Sequence, residues 1–74
     1  MAKIIFYGWE VGMRKIPFIH LLQDKAGLSL GEAKKMKDRL VDNDETVELF
    51  VEDDLLAKEI LEEALKLKVK GKIE

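Results

Sequence analysis

The sequence predicts an α+β fold: a two-layer β-α-α-β-α-β domain, with three helices on one face of a three-stranded sheet. Three observations predict it. Three short segments are β-branched and aromatic or alternate apolar with polar residues, as half-buried strands do. Three other segments repeat apolar residues at helical spacing. Residues suited to helix ends stand at the boundaries, among them Pro17, Gly27, Ser29 and Asp53. With 74 residues the chain is one domain, spanning 1–74, near the lower size limit for a single core.

The elements follow in order. Residues 3–9, KIIFYGW, read as a strand with Ile4, Phe6 and Gly8 on one face and Ile5, Tyr7 and Trp9 on the other. EVGM follows as a loop. Residues 15–26 read as the first helix, with Pro17 in the first turn, where no backbone donor is needed. Gly27 is a C-terminal stop. Ser29 with Glu32 three residues on matches a capping box for a second helix, from about Leu30 to Val41. Leu30, Ala33, Met36 or Lys37, and Leu40 fall at helical spacing along it. DNDE, residues 42–45, is a turn.

Residues 46–52 alternate again, with Val47, Leu49 and Val51 opposite Glu48, Phe50 and Glu52. Asp53 or Asp54 caps a third helix over about 54–66, whose core stripe is Ala57, Ile60, Leu61 and Ala64. The last strand, LKVKGKIE, turns Leu67, Val69 and Ile73 inward and Lys68, Lys70 and Lys72 outward. These lysines would pair with the outward glutamates of the middle strand if the two strands were neighbours.

Composition narrows the function. The chain has no cysteine, so it has neither disulfides nor a thiolate nucleophile. Hydrophobic residues are 47% and charged residues 38%, a globular balance. The net charge of −2 lacks the basic excess of a nucleic-acid binder. No apolar run approaches the roughly 20 residues of a membrane span, and no signal peptide is evident. The expectation is a complete small cytoplasmic protein with no specific nucleic-acid or membrane partner.

Catalytic chemistry finds little to work with. His20 is the only histidine, which argues against zinc. Ser29 is explained as a helix cap. The acidic pairs Asp53-Asp54 and Glu62-Glu63 fall where a helix end or solvated face places charge. The glycines at 27 and 31 form no phosphate loop. So short a chain is also expected to have little room for a ligand pocket of several hundred Å³. The reading is a non-catalytic protein with no cofactor and no metal.

Two surfaces stand out. On the first helix, Phe18, Leu21 and Leu22, with Ala26 at the edge, form the bulkier stripe and should face the core. Ile16, Ile19, His20 and Gln23 then face outward, and grouped exposed apolar residues suggest a partner surface. The plainer reading has Ile16 covered by the EVGM loop and Ile19 by the second helix. The run KKMKDR, residues 34–39, reads as a solvated helix face, from which Lys34 and Lys35 could still add a positive rim beside this surface. The second surface is the outer sheet face, with Ile5, Tyr7, Trp9 and Phe50. Either lysine stems shield it, or it forms a homodimer.

The stretch KIPFIHLLQDKAGLSLGEAKK, residues 15–35, closely resembles the C-terminal domain of the bacterial ribosomal stalk protein, which recruits translational GTPases. The shared elements are Lys15-Ile16, Ile19, the turn GLSLGEAK over 27–34, and Lys34. The element order extends the resemblance over nearly the whole chain. The Clp protease adaptor is similar in fold, but its acidic recognition motif is not evident. The resemblance implies a factor-binding surface at Ile16, Ile19, His20, Gln23, Gly27, Leu28 and Lys34.

Departures from that pattern are specific. The family usually has basic residues at His20 and Gln23, and often at Gly31. A glycine usually ends its third helix and is missing here. The family's N-terminal dimerisation domain and hinge are absent from the sequence. Two functional expectations result. One is a stand-alone binding module for a translational GTPase or another cytoplasmic protein. The other is a self-associating structural or regulatory domain with a partner unrelated to translation.

Overall fold

The computed structural model describes residues 2–74. Its elements are β1 (Ala2–Trp9), α1 (Lys15–Asp24), α2 (Leu30–Val41), β2 (Val47–Val51), α3 (Asp54–Lys66) and β3 (Val69–Ile73). The fold is α+β, in the expected β-α-α-β-α-β order. The sheet is antiparallel, with β1 in the centre and strand order β2-β1-β3. Among the described residues, no helix is long and apolar enough to cross a membrane.

Local chemistry explains the boundaries. Pro17 is the third residue of α1, and the first α1 amide to return a helical bond is that of Phe18, to the Arg14 carbonyl. The proline therefore removes no hydrogen bond. The capping box at Ser29 is formed in both directions: the Glu32 amide donates to Ser29 Oγ, and the Ser29 amide donates to Glu32 Oε1, each at 3.2 Å. Asp53 caps α3 by accepting from the Leu55 amide at 2.8 Å. The α1 helix ends at Asp24, two residues before the expected Ala26, and β3 begins at Val69 rather than Leu67. Residues 67 and 68 are spent on the turn that ends α3.

The core lies between the sheet and the helices. Ile4, Phe6, Val47, Leu49, Val51 and Val69 face it from the strands. Phe18, Leu22, Leu40, Ile60 and the alanines of α2 and α3 face it from the helices. The expected α3 stripe holds, with Ala57, Ile60 and Ala64 buried and Leu61 packed at the core's edge. On α2, Leu30 is exposed instead, and Val41 takes a core place. The backbone of α1 approaches α2 and α3, and it reaches the sheet through side chains. Phe18 meets Phe6 edge to face, with ring centroids 5.4 Å apart, an arrangement worth about 0.5–1.5 kcal/mol beyond burial.

One irregularity changes the strand faces. On the β3 side, Phe6 pairs with Gly71 but Gly8 pairs with Lys70, so Tyr7 is an extra residue in the ladder. Beyond a bulge the alternation of faces is inverted. Trp9 therefore pairs with buried Val69 and packs against the core, and Gly8 faces outward beside Lys70. This corrects the expectation that Trp9 belongs to the outer face. It also leaves Gly71 facing in, where an added Cβ would stand 2.9 Å from Phe6 and 3.0 Å from Leu61.

Candidate functional site

Backbone ties fix where α1 starts. After Trp9, the Glu10 amide donates to the Lys68 carbonyl at 2.8 Å, and the Arg14 amide donates to the Leu67 carbonyl at 3.2 Å. The loop from 10 to 14 is thus laid along the α3–β3 junction. The first turn of α1 stands beside the last turn of α3. At the other end, Lys25 Nζ reaches Glu59 of α3 at 3.4 Å.

Between the two helices runs an open groove of about 570 Å³. Ile16, His20 and Asp24 line it from α1, and Glu63 and Lys66 from α3, with Leu21 and Leu67 in its wall. A depression of several hundred Å³ therefore exists in this small chain, contrary to the size expectation. It is an open trough with an apolar wall and charges of both signs at its margins. Among the described residues, no group of three or more His, Asp or Glu side chains is placed to hold a metal ion.

The structure divides the seven expected partner-binding residues. Ile16 is 63% exposed and His20 is exposed beside it on the groove. Gln23 lies one turn further along the same stripe and is half-buried. Ile19 is only 4% exposed and belongs to the core. Its expected outward position is corrected: α1 packs against two helices rather than one, so its buried arc is wider than a single stripe.

Gly27 turns the chain. Its φ of +72° lies in the left-handed region, which costs glycine little. The Leu28 amide then returns to the Leu22 carbonyl at 3.2 Å, and Leu28 packs at the core's edge. Leu28 also lines a second, smaller depression with Glu32, Lys35, Met36 and Arg39. Lys34 is exposed on α2 and lines neither depression. The groove's α3 wall, Glu63 and Lys66, has no counterpart among the residues expected from sequence. Its signal would have been tertiary, in the pairing of α1 with α3.

The outer sheet face keeps three of its four expected residues. Tyr7 and Phe50 are exposed, at 54% and 64%, and Ile5 is half-buried. Trp9 has left for the core side. The expected pairing between glutamates of β2 and lysines of β3 does not form, because β1 separates those strands. Lys3 of β1 supplies the cation instead, 3.4 Å from both Glu48 and Glu74. Its hydrogen bond to Glu74, then the charge of Glu48, raise its pKa.

No protein-family profile, curated protein or solved structure matches this chain.

Proposed function

We propose that this chain is a non-catalytic protein-binding module that docks its partner on the exposed stripe of α1 and the Gly27–Leu28 turn. The observation that carries the reading is Ile16, a large apolar side chain 63% exposed beside His20 at an open groove. Ile16 continues the apolar groove wall of Pro17, Leu21 and Leu67, and a contiguous apolar patch rimmed by polar groups supports a binding surface. The β-α-α-β-α-β order and the turn at 27–34 support the resemblance to the ribosomal stalk C-terminal domain. On that resemblance the partner is a translational GTPase, with Ile16, His20, Gln23, Gly27 and Leu28 in contact and Lys34 at the rim. Ile19 supports the surface from beneath.

Where the family carries basic residues, His20 and Gln23 offer fewer charge-assisted contacts, each worth about 1.5–3 kcal/mol when well formed. Binding is therefore weaker than the family's pattern would provide. The test is an NMR titration of labelled protein with elongation factors Tu and G. Shifts centred on Ile16, His20, Gln23 and Gly27, tightened by Gln23→Lys and abolished by Ile16→Asp, support the reading. No shifts at high factor concentration, with the wild-type fold intact, refute it.

A further inference from the structure

We infer that the outer face of the sheet is a homodimer surface on which two copies pack about a two-fold axis parallel to the strands. This surface lies on the opposite side of the sheet from the helices and is independent of the α1 stripe. The inference comes from the order of charges across the face. The ladders place Glu48 of β2, Ile5 of β1 and Lys72 of β3 in one row. The next row holds Phe50, Lys3 and Glu74, whose amide donates to the Lys3 carbonyl at 2.8 Å. Tyr7 stands at the other side of the Ile5 row and lines a shallow depression with Ile5, Thr46 and Lys72.

Across the central row the face is therefore acidic at one edge, apolar in the middle and basic at the other. Glu48 is shared with Lys3, whereas Lys70 and Lys72 have no ion-pair partner among the described residues. Two ways of stacking this face on a copy of itself keep the strands aligned, as packed sheets require. A two-fold axis across the strands lays β2 on β2 and β3 on β3, setting the acidic edge on the acidic edge and the basic on the basic, and an axis through this row brings Glu48 over Glu48 and Lys72 over Lys72. An axis along the strands lays β2 on the partner's β3. Glu48 of each protomer then faces Lys72 of the other, and the two pairs flank an Ile5–Ile5 contact on the axis. That axis also lays Lys3 over Lys3, each already held between Glu48 and Glu74 of its own protomer, so the acidic β2 edge facing the basic Lys70 and Lys72 edge of β3 is what selects this arrangement. Tyr7, on the central strand, meets its own copy near the axis, and Phe50 lies over the β3 edge of the other protomer beside Glu74.

The face is small. Three strands about 4.8 Å apart and up to eight residues long, with their side chains, offer roughly 500 Å² per copy. That is the low end for a specific interface, so the dimer forms at micromolar concentration or above.

Sedimentation velocity on the full chain, from low micromolar to millimolar concentration, tests this. The wild type is expected to dimerise over that range and Tyr7→Ser to remain monomeric. Glu48→Lys and Lys72→Glu, shown folded by circular dichroism, are each expected to weaken the dimer about tenfold, because two symmetric pairs become repulsive. The double swap restores it. Ile16→Asp leaves it unchanged, which separates this surface from the partner site on α1. A monomeric wild type throughout overturns the dimer. So does a dimer lost with Ile16→Asp. Single swaps without effect, or a double swap that fails to restore association, overturn the axis.

Discussion

Lys68 occupies a backbone position that an L-residue adopts at a cost, and replacing it with glycine should stabilise the fold. Its φ is +70°, in the left-handed region at the end of α3. Its amide donates to the Leu65 carbonyl at 3.1 Å, and its own carbonyl accepts from Glu10, so the conformation is held from both sides. A side chain in that region costs roughly 1–2 kcal/mol. Glycine escapes this but frees the unfolded chain by about 0.4–1 kcal/mol. Taking the middle of each range, the net gain for Lys68→Gly is about 0.8 kcal/mol, or roughly 3–6 °C in Tm for a domain of this size. The side chain is exposed, so little packing is lost. Calorimetry with Lys68→Ala as the control decides it. Alanine keeps the strain and removes the same charge from the helix end, where a cation is mildly favourable. An unchanged or lower Tm for Lys68→Gly would refute the reasoning. So would an equal rise for Lys68→Ala, since charge and not backbone would then be the cause.

Three further predictions follow from the packing. Ile19→Ala should cost about 2–4 kcal/mol in urea unfolding, whereas Ile16→Ala should change stability by less than about 0.5 kcal/mol; equal costs would contradict the assignment of one to the core and the other to the surface. Gly71→Ala should destabilise by about 1–3 kcal/mol, because its Cβ would also stand 3.1 Å from the Ile5 carbonyl oxygen, which cannot move aside. The raised pKa of Lys3 means that its ammonium contributes stability fully below the unfolded lysine value, about 10.4. That contribution fades as pH climbs through the higher folded value. Unfolding curves of wild type and Glu74→Gln should therefore differ at neutral pH and converge in strong alkali, with added salt shrinking the difference; a gap that widens with pH would contradict this.

The fold was legible because its signals are local. The capping box at Ser29, the first-turn Pro17 and the strict alternation of residues 47–51 each specify an element without reference to the rest of the chain. What escaped was tertiary. Strand order cannot be deduced from alternation: with β1 in the centre, Glu48 meets its cation, Lys3, in β1 and not in β3. Ile19 repeats on the polar stripe of α1 by angle, yet contact with both α2 and α3 buries it. Lys68 carries no sequence mark of a left-handed residue, because glycine is the usual signal and is not there. The candidate site was thus half legible: Ile16, His20 and Gln23 from periodicity, the α3 wall of the groove only from the packed helices.

The bulge at Tyr7 links these differences. Without the extra residue, alternation would send Trp9 outward and Gly8 inward, and the end of β1 would bring little to the core. With it, Trp9 pairs with Val69 and packs inward. The chain then leaves β1 alongside the α3–β3 turn, where the Glu10 and Arg14 amides bond to Lys68 and Leu67. Those bonds place the start of α1 against the end of α3 and so open the groove that Ile16 lines. The same inversion withdraws the largest aromatic residue from the outer face and leaves Tyr7 and Gly8 beside Lys70. That face is consequently flatter and more polar than simple alternation implies, which suits a weak contact chosen by charge better than a permanent apolar one. One inserted residue in the central strand thus shapes both the α1–α3 groove and the outer face of the sheet.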